Sequence, residues 1–251
     1  MTKTILACID NSAAAGPVLD AARAIAPVFG AVVEAVHVAE DGKSTAGGMA
    51  SLRDLSLHTL HGDVVRQLVS RAREEDVVAV AMGARGRPTG PRPAGHITQQ
   101  LANQIDAPVL VVPPESTIAG DIHRALIAMK GTRANARMLT RAVELATAAE
   151  VDLIIIHVDD EGSIPSFSDQ VQHETDAYAQ EFLARFVPGA PAARLELRIG
   201  DPAEEILHAL ESIHPDVIVV GRRRDPDPGH GEVVREMLER SHLPVLLVAT
   251  A

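Results

Sequence analysis

Short apolar runs alternate along the chain with longer stretches in which apolar positions recur every three or four residues. In the first half the runs cover residues 4–9, 31–38, 55–60, 77–82 and 108–112, and the pattern predicts a strand in each. Helices are predicted over 14–29, 64–75 and 97–105. Near-continuous Val, Ile, Leu and Ala fits strands buried on both faces, and strands alternating with helices imply right-handed crossovers. The pattern therefore predicts a parallel sheet covered by helices on both sides.

The same order occurs twice. Lys3-Thr-Ile-Leu-Ala-Cys-Ile-Asp-Asn-Ser12 aligns with His123-Arg-Ala-Leu-Ile-Ala-Met-Lys-Gly-Thr132, and residues 35–42 fall on 155–162. Gly62-Asp63 matches Gly200-Asp201, and Val80-Ala-Met-Gly83 matches Ile218-Val-Val-Gly221. At the ends, Ala107-Pro-Val-Leu-Val-Val112 matches Leu243-Pro-Val-Leu-Leu-Val248. Chance rarely preserves such order across a half-chain, so the chain reads as an internal duplication. Pro113-Pro114-Glu115-Ser116-Thr117 breaks the last strand of the first copy and marks the boundary. The expected domains are 1–115 and 120–251, each a five-stranded parallel-sheet α/β unit. The second copy carries an added helical stretch around 168–187. Its counterpart over 43–53 is shorter and rich in Gly, Ser and Ala, which predicts a missing or reduced crossover helix in the first copy.

Composition narrows the function. Thirty-four acidic against 23 basic residues give a net charge of -11, which argues against nucleic-acid and anionic-membrane partners. The core is aliphatic, with only 2 % aromatic residues. A single cysteine, Cys8, excludes an internal disulfide and fits a reducing compartment. Lys3 is followed by an apolar run that meets Asp10 too soon for a signal peptide, and runs such as 151–158 are too short to span a bilayer. A cytoplasmic protein is expected.

In an open doubly wound sheet, ligands bind beyond the carboxyl ends of the strands, where strand order reverses. With strand one beside strand four, the turns Asp10-Asn11-Ser12 and Gly83-Ala84-Arg85-Gly86 would flank one crevice. Gly95-His96-Ile97 opens the next helix, whose N-terminus offers free N–H groups and a positive dipole end. These residues resemble the universal stress protein family. Members of its ATP-binding type have an Asp-x-Ser turn after strand one, then Gly-x2-Gly-x9-Gly-(Ser/Thr) after strand four and a Pro-Val-Leu-Val-Val-like last strand. The match spans both halves. It departs at a loop of eight residues before Gly95, where the family has nine, and at His96, where the family has Ser or Thr.

The resemblance implies a Rossmann-like fold of the adenine nucleotide alpha-hydrolase type, with the two copies related by a pseudo-two-fold. It implies ATP or AMP in the first copy. Asp10 and Val38 would lie at adenine and ribose, with Ser12 also among the binding residues. Met82, Gly83, Gly86, Gly95, His96 and Ile97 would line the ribose and phosphates. Arg85, Arg87 and Arg92 either assist the phosphates or are solvated loop residues. In the second copy Lys130 replaces the aspartate, Gly221-Arg222-Arg223-Arg224 lacks the second glycine, and Glu232 follows Gly231. A carboxylate there repels phosphate while favouring the helix start, so no cofactor is expected in that half.

Other chemistry finds little support. His58 and His61 lack metal-ligand spacing, and His37 and His157 share a repeat position that suggests hydrogen bonding at the sheet edge. Cys8 reads as a small core residue, and neither a nucleophile elbow nor a P-loop is present. The chain is expected not to be an enzyme. The family's last strand mediates dimer contacts, so 109–112 should pair with 245–248 within one chain, with a further homodimer left open. Two functions stay open: adenine-nucleotide binding in a stress response, or a nucleotide-free module that works through protein partners.

Overall fold

In the computed structural model the apolar runs become strands and the periodic stretches helices. The structure describes residues 1–10, 12, 14–39, 55, 57–85, 94–118, 120–159, 171–222 and 231–249. The first half contains β1 (Lys3–Cys8), α1 (Ala15–Phe29), β2 (Ala31–Ala39), β3 (Leu57–His61), α2 (Val64–Ala72), β4 (Val77–Gly83), α3 (His96–Gln104) and β5 (Val109–Val112). The second contains β6 (Arg124–Ala128), α4 (Arg133–Ala148), β7 (Asp152–Asp159), α5 (Val171–Phe186), β8 (Arg194–Ile199), α6 (Pro202–Ile213), β9 (Val217–Arg222), α7 (Glu232–Arg240) and β10 (Val245–Ala249). The predicted 168–187 helix is α5. The reduced crossover expected over 43–53 lies outside the described residues, as do Gly86, Arg87 and Arg92.

The ten described strands form one sheet in the order β3-β2-β1-β4-β5-β10-β9-β6-β7-β8. Within each half every pairing is parallel, and β1 lies between β2 and β4 as the crevice argument requires. The halves join through β5 and β10, which pair as expected and run antiparallel. Leu110 faces Leu246, and these two residues hold the same place in the repeat. A pseudo-two-fold axis therefore passes between them, and each half covers the other's last-strand edge. The antiparallel junction also points the carboxyl ends of the two half-sheets in opposite directions.

Two apolar layers sandwich the sheet. On one face α1 and α4 pack together over Leu110 and Leu246, with α5 further out. On the other, α2, α3, α6 and α7 cover Val109, Val111, Val245 and Leu247. Gly30 ends α1 at φ +59, a left-handed cap that glycine adopts without a Cβ penalty. The prediction carried α2 to residue 75, but it stops at Ala72. Arg71 turns toward Glu34 on β2 (2.9 Å), Glu74 (3.1 Å) and Asp76 (3.0 Å), and these bonds tie the helix end to the entry of β4.

The Arg71 guanidinium holds the Asp76 carboxyl below the usual carboxylate range, chiefly by hydrogen bonding and against the opposing effect of burial. A depressed folded-state value stabilises the fold above about pH 4, and that share is lost as pH falls through it. Asp76→Asn is therefore expected to destabilise the protein at neutral pH. Its deficit relative to the parent should shrink below about pH 4 in urea unfolding followed across pH.

Candidate functional site

At the carboxyl ends of β1 and β4 lies a crevice of about 610 Å3, a size that suits a small ligand. Asp10 and Val38 border it, as do Met82, Gly83, Gly95, His96 and Ile97. Ser12 is not in the lining: its Oγ accepts a hydrogen bond from the Ala14 N–H (3.2 Å) and shapes the turn. Asp10 Oδ1 accepts from the Ser12 N–H (2.9 Å), an Asx-turn that fixes the carboxylate at the rim. The lining is mostly apolar, from Ile9, Ala15, Val18 and Leu68, with His37, Arg85 and Thr98 as buried polar members.

The α3 N-terminus meets the crevice at its glycine cap. Gly95 N–H donates to the Ala84 carbonyl (2.8 Å), and the buried Thr98 hydroxyl donates to the Gly83 carbonyl (2.8 Å). These two bonds fasten the first turn of α3 to the end of β4, aiming its free N–H groups at the opening. His96 and Ile97 are exposed there, Ile97 to 44 %. Thr98 was missed from the sequence: its hydroxyl is visible, but not that it turns inward.

Three further residues change the expected picture. Arg85 is buried and lines the crevice, where it pairs with Glu115 of the connecting segment at 2.8 Å. It is thus neither a solvated loop arginine nor a cation reserved for phosphate. His37 hydrogen-bonds through Nδ1 to the Ile9 carbonyl (3.0 Å), and His157 does the same to Met129 (2.9 Å). Nδ1 must carry the proton to donate, so the bond fixes the tautomer and ties strand two of each half to the end of strand one. The shared role is structural as expected, but it sits at the strands' carboxyl ends, not at a sheet edge. His37 also borders the crevice. Cys8 is half-buried on the crevice wall, and burial pushes its thiol up to about 12, so it stays protonated at neutral pH. The sequence had placed it wholly in the core.

In the second half the equivalent space is occupied by protein. Phe182 on α5 stacks against the His157 ring at 4.8 Å. Gly131, at φ +69, stands where the first half has Asn11. A Cβ there would come within 3.1 Å of both rings, so the turn closes onto them. Glu232 occupies the first turn of α7. Arg222 is buried and turns out of its own half, donating from Nη2 to the Ile105 carbonyl at the end of α3. Among the described residues no carboxylate answers it, and burial lowers its guanidinium to about 10. The negative end of the α3 dipole supplies the compensating field.

A model of the universal stress protein family matches residues 50–113 and 121–249. The chain belongs to the universal stress protein family. The two matched segments, one in each half, fit the tandem arrangement. A universal stress protein from Archaeoglobus fulgidus DSM 4304 has a similar structure, with a TM-score of 0.69 and 17 % identity, over 99 % of this chain and 98 % of that one. A protein of unknown function from Pseudomonas aeruginosa PAO1 is similar at 0.70 and 14 %, over 99 % and 93 %. A universal stress protein in complex with cAMP is similar to one half only, at 0.41 and 21 %, over 52 % of this chain and 98 % of that one. No curated protein matches the chain. Among the described residues no helix is long and apolar enough to cross a membrane, and no three His, Cys, Asp or Glu side chains form a metal-binding group.

Proposed function

We propose that this universal stress protein binds an adenine nucleotide, ATP or AMP, in the first-half crevice, while the second half serves as a structural copy. The observation that carries this reading is a crevice of about 610 Å3 ringed by Asp10, Gly83 and the Gly95-capped start of α3. Glycine at Gly83 leaves room for ligand against the end of β4, and the α3 amides and dipole end favour phosphate. The apolar walls suit a base, and the Asp10 carboxylate can accept from ribose hydroxyls or a base amino group. The protein acts in the stress response as a cytoplasmic nucleotide-responsive binder rather than as an enzyme.

Denaturing freshly purified protein and chromatographing the released small molecules tests the proposal, together with calorimetric titration by ATP and AMP. A single equivalent of adenine nucleotide per chain is expected. Asp10→Asn keeps an acceptor for the Ser12 turn while removing the charge, and should weaken binding about tenfold. The competing reading, a nucleotide-free module acting through protein partners, draws on the Arg85–Glu115 pair, which already neutralises the crevice's buried guanidinium. No released nucleotide and no binding heat would decide for it.

A further inference from the structure

Between α2 and α3 runs an open groove of about 690 Å3, separate from the nucleotide crevice. Arg66 of α2 and Arg73 at its C-cap stand along one wall, with Gln100 and Gln104 of α3 along the other and Val65 and Val69 between. Neither guanidinium has a side-chain partner among the described residues, although both are exposed and the chain carries a net charge of -11. Asp63 at the groove's end is already engaged, because its carboxylate caps α2 by accepting from the Arg66 N–H (2.8 Å).

The second half shows what fills this place. Setting Asp63 on Asp201 puts Arg66 on Glu204, and setting Gly95 on Gly231 puts Gln100 on Glu236 and Gln104 on Arg240. There Arg240 grips Glu204 through both Nη atoms and also reaches Glu236 (3.5 Å), so the helix pair α6–α7 closes its groove with its own ions. In the first half the α2 charge is reversed and the α3 partners are neutral amides. The groove has two cations and one acid, Asp63 at its end, which the α2 N-cap already engages.

Arg66 on α2 and Arg73 at its C-cap, still in αR conformation, lie seven residues apart, about 10 Å along the helix axis and on the same face. A single phosphate reaches only one of them. Carboxylates at i and i+7 of a helix laid along α2 reach both, and apolar side chains at i+3 and i+4 of that helix would lie over half-buried Val65 and the buried Val69 at the groove floor. We propose that the α2–α3 groove docks an acidic amphipathic helix of a protein partner. The partner's carboxylates complete in trans the ion pairs that the second half makes in cis, and the Gln100 and Gln104 amides donate to the same carboxylates.

The test is a titration of the 15N-labelled full chain with a lactam-stapled helical peptide bearing glutamate at i and i+7 and leucine at i+3 and i+4. Saturable shifts are expected at the Gln100 and Gln104 side-chain amides and at the Arg66 and Arg73 Nε–H signals. Arg66→Glu, Arg73→Glu and a peptide with glutamine for glutamate should each weaken binding at least about tenfold. The double variant Arg66→Glu/Gln104→Arg rebuilds the Glu204–Arg240 clasp, so it should keep the fold and melting temperature while abolishing binding. Peptide binding that survives the double variant, or no shift at the groove, overturns the proposal. So does inorganic phosphate producing the same shifts, which would make it a small-anion site. A concentration-dependent dimer broken by Arg66→Glu would make the occupant a second copy of this chain, and would overturn it equally.

Discussion

Leu110→Ala should cost the protein about 3 kcal/mol of stability, the usual range for emptying a well-packed leucine site being about 2–5 kcal/mol. Leu110 is 2 % exposed and faces Leu246 across the only antiparallel pairing among the described strands. Its side chain lies under α1 and α4, the helices that pack on each other across the pseudo-two-fold. Little around it can move inward, because the sheet closes one side and two helices the other. Chemical denaturation followed by circular dichroism would measure the loss. Leu246→Ala should cost a similar amount, since it occupies the symmetry-related place. The double variant should cost less than the sum of the two, because the cavities merge. Val32→Ala, at a position 54 % exposed, is the control and should change stability by less than about 0.5 kcal/mol. A loss below about 1 kcal/mol for Leu110→Ala would mean that the halves do not share this core.

That junction was legible because its residues are aliphatic and repeated: Pro-Val-Leu closes each half, and a buried strand needs little else. Element ends were less legible where polar contacts set them. Periodicity carries α2 on to residue 75, and only the turn of Arg71 toward Glu34 and Asp76 explains why it stops at Ala72. The site divides the same way. Asp10, Gly83 and Gly95 announce themselves as a turn and two glycines at strand and helix ends. Arg85 does not, because its partner Glu115 lies thirty residues away and only the fold brings them together. Arg222 reaches Ile105 across the junction, a contact made between halves and invisible to either half alone. Lys130 and Glu232 predict that the second copy holds no cofactor, but not that side chains occupy its crevice. The residue that packs against its histidine, Phe182, belongs to a helix with no described counterpart in the first half.

Gly83→Val should abolish nucleotide retention while leaving the fold intact, and it separates the ligand role of this residue from any structural one. Gly83 is not at positive φ, so its backbone accepts a side chain. A Cβ built there lies 3.5 Å from Ala14 Cβ and 3.8 Å from Val18 Cγ2, ordinary contact distances. Valine also suits the end of a strand. Its two γ-methyl groups, however, occupy the crevice between β4 and α1 where the proposal puts the ligand. Affinity for ATP or AMP should fall by about 100-fold, or about 2.7 kcal/mol, with the melting temperature little changed. Gly83→Ala adds only the tolerated Cβ and should lose much less. The graded series distinguishes steric filling from a general disturbance of the sheet, which would move both variants' melting temperatures together. Lys130→Asp restores the first half's residue in the second half, yet it should create no second equivalent, because Phe182 and His157 still pack against Gly131. Full affinity in Gly83→Val would place the nucleotide elsewhere, since no ligand lying against the end of β4 could ignore two added methyl groups.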